Sequence, residues 1–241
     1  MSDLRPVTLS PATKQKLLSV STATLTSQLI NAGFRNTFLT GVYPLTPGSR
    51  MVGYAVTLRF VPAREDLVAA SKAPRDSQQR LAIEAVGPED VLVVEARGEL
   101  RGAIIGDILA MKMKMAGGAG VVTDGAFRDS PACAALEWPI YLSGVNANRS
   151  NLYHYPAGRN EIISCAGVAI CPGDIIVGDG EGVVAIPPQI AVQIADAAYE
   201  QELREQYIME LVSAGAGTID IYPPNEATLA AFQQWRQAKG L

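Results

Sequence analysis

Apolar and polar positions alternate most clearly between Met51 and Val61, where MVGYAVTLRFV is also rich in β-branched and aromatic residues. A period of two in such residues predicts a strand. From Lys14 to Ala32 the spacing is helical instead, with Ser21 or Thr22 as a cap before Leu25, Leu29 and Ile30, and Gly33 as the stop. Asp76 is expected to cap a short helix that runs to Val86 and ends at Gly87-Pro88. Val91–Glu95 (VLVVE) reads as a buried strand, and Gly120–Thr123 (GVVT) as another. Between them, Asp107 to Ala116 follows a turn at Gly106 and reads as helix, although Met111-Lys-Met-Lys-Met115 also satisfies strand alternation.

Farther along, Ile140–Leu142 and Val168–Ile170 are expected strands. Ile175–Val177 and Val183–Ile186 flank Gly178-Asp-Gly-Glu-Gly182, a hairpin signature. Pro187-Pro188 opens a long helix from about Gln189 to Leu211, whose outer face is acidic around Glu200 to Glu210. A turn at Pro223-Pro224 leads to a final helix over Glu226 to Gln237. Strands and helices mix throughout, with no internal repeat or linker. The pattern predicts one α/β domain over residues 1–241, with a C-terminal helical arm from about 223.

Composition narrows the function. At 241 residues, 48% apolar and 18% charged, the chain is long enough to bury about three quarters of its unfolded surface. The net charge of −4, with no Lys/Arg cluster, argues against a nucleic-acid partner. Cys133, Cys165 and Cys171 cannot all pair and match no zinc spacing, so a reduced, cytoplasmic protein is expected, with Cys165 and Cys171 in the core. Met1-Ser-Asp-Leu-Arg-Pro6 lacks a leader's apolar run, and nothing approaches the roughly 20 apolar residues that span a bilayer. No membrane partner is therefore expected.

One histidine, His154, sits in Tyr153-His-Tyr-Pro156, which reads as a loop with a partly exposed side chain. Imidazole-rich metal sites are impossible within one chain. Catalysis would have to rest on carboxylates, Arg or Lys, a hard metal ion and backbone amides.

The segment from Gly106 to Asp129 carries that chemistry. A glycine turn entering a helix exposes N–H groups without intrahelical partners, which bind carboxylates and phosphates. Arg128-Asp129 follows a buried strand and the Asp124-Gly125 turn, where α/β proteins keep binding groups. Arg offers a planar fork and Asp a hard oxygen ligand. Taken alone, a capping Asp107 and a surface Arg-Asp pair would be commonplace. Lys112, between Ile108 and Met115 on the helical wheel, reads as a snorkelling side chain and not a Schiff-base lysine. Gly117-Gly-Ala-Gly120 precedes a strand and so is no dinucleotide fingerprint.

Asp107, twenty intervening residues and then Arg128-Asp129 resembles the signature of the 4-hydroxy-4-methyl-2-oxoglutarate / 4-carboxy-4-hydroxy-2-oxoadipate aldolases, a family that includes the regulator of ribonuclease activity A. The likeness extends to Ser21-Thr-Ala-Thr24, Gly118 to Arg128, Ser164 to Asp174 and Gly178 to Pro187, covering roughly residues 20 to 222. It implies a compact α/β/β sandwich of the swivelling-domain type, assembled as a homotrimer or homohexamer. It also implies a lyase that cleaves a 4-hydroxy-2-oxo acid to pyruvate with Mg²⁺ or Mn²⁺, and with oxaloacetate decarboxylation as a side reaction.

Position by position, the resemblance assigns Asp129 to the metal and Arg128 to the substrate's 2-oxo group and the enolate. Asp107 would hold one of the metal's waters. Gly106 and the amides around Ile108 and Leu109 would grip the pyruvyl carboxylate. An acidic residue on the last long helix would reach a neighbouring subunit's site; counting from the Gly182 hairpin gives Glu205, with Glu202 as fallback. Alternatives are a hydro-lyase on a 2-oxo-3-deoxy sugar acid and a non-enzymatic binding protein like the ribonuclease regulator. Arg97-Gly-Glu-Leu-Arg101 stands where the family pattern has a glycine- and aspartate-rich turn, which places those charges at a pocket mouth and leaves the substrate open.

Overall fold

The computed structural model describes residues 5–70 and 76–241; the first four residues of the segment examined for a leader lie outside them. In chain order the elements are α1 (Pro11–Ser19), α2 (Thr22–Asn31), β1 (Tyr43–Pro44), β2 (Met51–Pro62), α3 (Glu65–Ala70), α4 (Gln78–Ala85), β3 (Asp90–Glu95) and β4 (Ala103–Ile105). Then come α5 (Asp107–Met115), β5 (Gly120–Thr123), β6 (Ala126–Phe127), α6 (Ser130–Ala134), β7 (Ile140–Leu142), β8 (Gly144–Val145) and β9 (His154–Arg159). The remainder is β10 (Ile163–Cys165), β11 (Val168–Ile170), β12 (Ile175–Gly178), β13 (Val183–Ile186), α7 (Ala191–Ser213) and α8 (Glu226–Lys239).

The expected first helix is two. Val20 is extended, and Ser21 starts α2 by accepting a hydrogen bond from the Thr24 N–H at 3.1 Å. The cap of α4 is Ser77 rather than Asp76, with the Ser77 hydroxyl accepting from Arg80 N–H at 3.2 Å. In both places the side-chain oxygen that satisfies an orphan N–H decides the boundary.

The main sheet runs β1-β7-β5-β3-β2-β12-β13, with β9 also paired to β2. The β2–β3, β3–β5 and β5–β7 pairs are parallel, while β12 and β9 join β2 antiparallel. Alternation sorts the strands by face. Val56, Leu58, Leu92, Val94 and Val121 meet α4, α5 and α6, whereas Val91, Val93 and Val122 meet the β10–β11 hairpin. The chain is thus an α/β/β sandwich. At the far end of the sheet α1, α2 and α7 pack on β12 and β13 through Leu17, Leu25, Leu29 and Ile194. The sheet is nearly closed: Leu39 N–H donates to Val183 O at 2.9 Å, and five residues later Pro44 pairs with Tyr141 of β7.

A second, parallel sheet of order β4-β6-β8 positions the site. Each of its strands follows a main-sheet strand: β4 after β3, β6 after β5, β8 after β7. Their carboxyl ends therefore lie side by side, and α5 and α6 start directly from two of them.

The C-terminal arm forms as expected. α8 covers the outer half of α7 through Tyr207, Phe232 and Trp235, with Leu203 beneath them. Arg236–Glu200 at 2.7 Å and the Trp235 indole N–H on Glu210 at 2.7 Å fix the pairing of the two helices. Among the described residues no helix is long and apolar enough to cross a membrane.

Candidate active site

β4 ends at Ile105, and Gly106 is the extended N-cap of α5, with no side-chain cap on the helix. The reason for glycine is steric. A Cβ built on Gly106 would lie 2.7 Å from an Asp129 carboxylate oxygen and 3.0 Å from Arg128 Cγ. The turn after β6 lies directly against this glycine, and Arg128 N–H donates to Ile105 O at 3.0 Å across the strand ends.

Asp129 has left-handed backbone, φ 54° and ψ 34°, and it caps α6 through its carbonyl, which accepts from Cys133 N–H at 2.9 Å. Asp is among the few non-glycine residues that adopt this region readily. That conformation brings the Asp129 carboxylate back over Gly106. Arg128 Nε donates to Asp129 Oδ2 at 3.0 Å, with the two side chains 42% and 38% exposed. An exposed pair of this kind contributes only about 0–1 kcal/mol to stability, so fold stability does not explain it. The contact uses Nε, and among the described residues no other hydrogen bond or ion pair engages the outer edge of the guanidinium.

Asp107 is at the first position of α5, and its Oδ1 accepts from the Ile108 N–H at 2.7 Å. Of the amides expected to grip a carboxylate, Ile108 is thus engaged by Asp107, and an incoming anion competes with Asp107 for it. Asp107 and Asp129 both act on Cys133. Burial first, and then the two carboxylates, push that thiol up to about 11. It is a neutral thiol beneath the site and not a nucleophile.

Glu205 is not brought to these residues by its own chain. It lies on α7, in the layer of α1 and α2, and Gln201 donates to its Oε1 at 2.8 Å. Glu202 turns inward to accept from Ser21 N–H at 2.8 Å. Burial pushes its carboxyl up, but the Ser21 and Thr24 hydrogen bonds and the Arg50 charge outweigh that and hold it below the ordinary value. Glu202 is thereby a support for α2.

Two readings are corrected. His154 is 1% exposed and belongs to β9, not to a loop. Proline tells against a central strand, but among the described residues β9 pairs only with β2, and an edge strand tolerates Pro156. Its ring packs edge-on against Phe60, with Nε2 3.0 Å from Gly102 O and Nδ1 3.2 Å from Arg97 Nη2. Cys171 is exposed, one residue beyond β11, whereas Cys165 is buried as expected. Of the charges of Arg97 to Arg101, Arg97 stands at a pocket, though not at the cleft beside α5. Glu99 pairs with Arg101 at 2.5 Å, which holds its carboxyl at about 2, and Arg97 lines a separate recess of about 500 Å³ at the ends of β3, β5 and β7.

Lys112 is tied to Glu84 of α4 at 3.2 Å, and the neighbouring Ile108 and Met115 are 78% and 76% exposed. The supposed apolar side of α5 therefore faces outward, while Ala110 and Met113 are buried. Sequence reasoning missed β4, β6 and β8, which are too short to show a period. It also missed Asn146 after β8, whose N–H donates to Phe127 O at 2.9 Å. A 310 Å³ cleft adjoins the first turn of α5 at Leu109.

The donor set bears on a metal ion. Among the described residues no three His, Cys, Asp or Glu side chains gather around a point, so an all-protein cage is excluded there. Two hard, accessible carboxylates fit a divalent cation that keeps most of its water, as Mg²⁺ does.

A family model described as RraA-like, Aldolase/RraA, matches residues 22–185, which includes Gly106 to Asp129 and stops before α7. A Halalkalibacterium halodurans protein named "Putative 4-hydroxy-4-methyl-2-oxoglutarate aldolase" is 36% identical over 177 residues, covering 72% of this chain and 79% of that protein. A Streptomyces coelicolor structure, described as an unusual member of the RNase ES inhibitor RraA family, matches with TM-score 0.74 at 34% identity, over 84% of this chain and 96% of that one. An uncharacterized Pseudomonas syringae protein matches with TM-score 0.77 over 90% of this chain and 99% of that one; at 24% identity it bears on the fold alone.

Proposed function

From the premise that the chain belongs to the RraA-like aldolase family, we propose that it is a lyase that cleaves a 4-hydroxy-2-oxo acid to pyruvate and a second carbonyl compound. The observation that carries this reading is the close approach of Gly106 to Arg128 and Asp129 at the uncapped start of α5. It sets a guanidinium and a carboxylate against the first turn of α5, where Asp107 adds a second carboxylate.

The pyruvyl carboxylate binds at the first turn of α5, where the helix dipole and the Leu109 amide favour an anion. Arg128, with Nε on Asp129, presents its remaining N–H groups to the 2-oxo oxygen. As the C3–C4 bond breaks, its electron pair moves onto C3 and the 2-oxo oxygen, and Arg128 stabilises the charge that develops there. The C4 hydroxyl loses its proton and becomes the new carbonyl; C3 gains a proton to give pyruvate. Asp107 holds the water that carries this proton. Cys133 is unsuited to the task because its thiol is pushed up to about 11, and His154 because it is buried and hydrogen-bonded at both nitrogens. Asp129, with Asp107 behind an intervening water, is the group that would hold Mg²⁺ or Mn²⁺, and such an ion supplies further stabilisation of negative charge on the 2-oxo oxygen. Oxaloacetate decarboxylation passes through the same enolate and accompanies the main reaction.

In a homotrimer or homohexamer Glu205 would come from the adjacent subunit. Three free cysteines favour a reducing, cytoplasmic setting. The likeness to an RNase ES inhibitor family member favours one second reading, a binding protein acting through a subunit surface. A panel of 2-oxo acids assayed for pyruvate release with Mg²⁺, Mn²⁺ and EDTA separates the two. Metal-dependent release supports the lyase; no release from any of them leaves the binding protein.

A further inference from the structure

The recess of about 500 Å³ that Arg97 lines has no part in the chemistry described so far. Glu95 ends β3, Asp124 follows β5 and Ser143 follows β7, so three neighbouring parallel strands bring their carboxyl ends to it. The β10–β11 hairpin contributes Ser164 and Ala166, and Thr40 adds to the lining. Asp124 and Ser143 precede β6 and β8, whereas Gly106 and Asp129 follow β4 and β6. The recess and the proposed active centre therefore stand at opposite ends of the small parallel sheet. Its size is that of a small-molecule site, and the carboxyl ends of parallel strands are where α/β sheets keep such sites.

Asp124 builds the rim of the recess and is fully engaged in doing so. It is 5% exposed, and its carboxylate accepts from Ala96 N–H at 2.6 Å, Gly98 N–H at 3.1 Å and Ala166 N–H at 3.3 Å. Those bonds hold two non-glycine residues, Arg97 and Ala166, in left-handed backbone at φ 63° and 50°. Strain of that kind persists where the surroundings fix it, and it gathers at ligand sites. Two charges remain. Glu95 has one carboxylate oxygen to spare, since only Oε2 is engaged, by Ser164 N–H at 3.1 Å. Arg97 is anchored through Nη2 to Tyr153 O and His154 Nδ1, both at 3.2 Å, while its buried Nε has no acceptor among the described residues. Among those residues Glu95 and Arg97 form no ion pair, with each other or with a third group, and the hydroxyls of Thr40, Ser143 and Ser164 make no hydrogen bond.

An anchored guanidinium and a free carboxylate, unbridged in one recess and accompanied by hydroxyls, match a ligand that carries both charges itself. We propose that this recess binds a small zwitterionic α-amino acid, with the ligand's carboxylate on Arg97 and its ammonium on Glu95. Both contacts are charge-assisted hydrogen bonds, and the ligand carboxylate supplies the acceptor that Arg97 Nε lacks. The three hydroxyls suit a short polar side chain, such as that of serine. Asp107, Arg128 and Asp129 take no part, so the proposal does not depend on the lyase reading.

Calorimetry on the full chain compares L-serine with glycerate, which has a hydroxyl in place of the ammonium, and with serinamide, which lacks the carboxylate. Serine should bind, and each analogue should bind about 10- to 100-fold more weakly. Glu95→Gln keeps an acceptor for Ser164 N–H and should weaken serine by a similar factor while altering glycerate little. Arg97→Gln should likewise weaken serine and leave serinamide almost unchanged. Because Arg97 also anchors His154, the ring resonance of this single histidine gives a second reading that needs no variant, and serine should shift it in the native protein. No binding of serine or another small polar amino acid at millimolar concentration overturns the proposal. Equal binding of serine and glycerate, binding that Glu95→Gln leaves intact, or binding that does not move the His154 resonance overturns it as well.

Discussion

Gly106 and Asp129 touch: the glycine Cα stands where any side chain would run into the aspartate carboxylate, at 2.7 Å for a Cβ. Neither residue is deep in the core, and the contact joins the ends of two parallel strands from different parts of the chain. The extended Gly106 backbone is open to alanine, so the constraint is space alone.

Gly106→Ala should therefore fold and lose activity. Displacing a reacting group by about 1 Å costs on the order of 100-fold in rate, and a fall of that order in pyruvate release is expected, with thermal stability little altered. Activity near the native level would mean that Asp129 is not held by this contact.

Asp129→Asn keeps an amino acid that accepts left-handed backbone and removes the charge. Circular dichroism should be unchanged, while turnover becomes insensitive to Mg²⁺ and close to zero. EDTA should abolish native activity and Mn²⁺ restore it. Full activity in EDTA would end the metal assignment.

Arg128→Lys retains a cation without the planar fork. A loss of at least about 100-fold in turnover is expected, since stabilising a developing oxyanion is worth several kcal/mol. Near-normal release by Arg128→Ala would show that another group does this work.

His154 gives the protein a signature against pH. Burial lowers its affinity for a proton below the ordinary 6.5, and the Arg97 guanidinium adds to this, against the opposing pull of the Gly102 carbonyl. The unfolded chain therefore takes up the proton first as pH falls. The stability contribution is complete above 6.5, declines as pH drops through that value, and levels off below the folded imidazole's own midpoint. As the only histidine in the chain, its ring resonance can be followed without assignment. A midpoint at or above 6.5 would contradict the buried, neutral ring.

Glu205 lies on α7, in the layer of α1 and α2, so its proposed role requires a neighbouring subunit. Mixing inactive Glu205→Ala chains with inactive Asp129→Asn chains should restore part of the activity, once tagged chains show that subunits exchange. Exchange without recovery would detach Glu205 from catalysis. A fully active monomer in light scattering would do so more directly.

Much of this architecture was legible in the sequence, because long strands and helices repeat their pattern over enough residues. β2, β3, α5, the β12–β13 hairpin, α7 and α8 all lie within a few residues of their expected places. The layer that builds the site was not. β4, β6 and β8 have two or three residues each, and what makes them strands is their mutual pairing. The motif from Gly106 to Asp129 could be read as chemistry, but the reason for its spacing could not. Twenty residues between Asp107 and Arg128 are what α5, β5 and β6 require to return the chain to the neighbouring strand end. His154 failed for a related cause: a Tyr-His-Tyr-Pro string looks like loop until a long partner strand and an inward-facing Phe60 are known.

The stretch from Thr37 to Pro44 grips both outer strands of the main sheet, β13 at one end and β7 at the other. During synthesis the β7 side of that seam can pair once residue 142 is made, but the β13 side has nothing to close on until residue 186 has left the ribosome, more than 140 residues after Pro44. Through that interval the forming sheet carries open hydrogen-bonding edges, the kind that recruit foreign strands. The burden on cellular quality control thus falls late in the chain's emergence, and it lifts only when the last strand docks beside one of the first segments made.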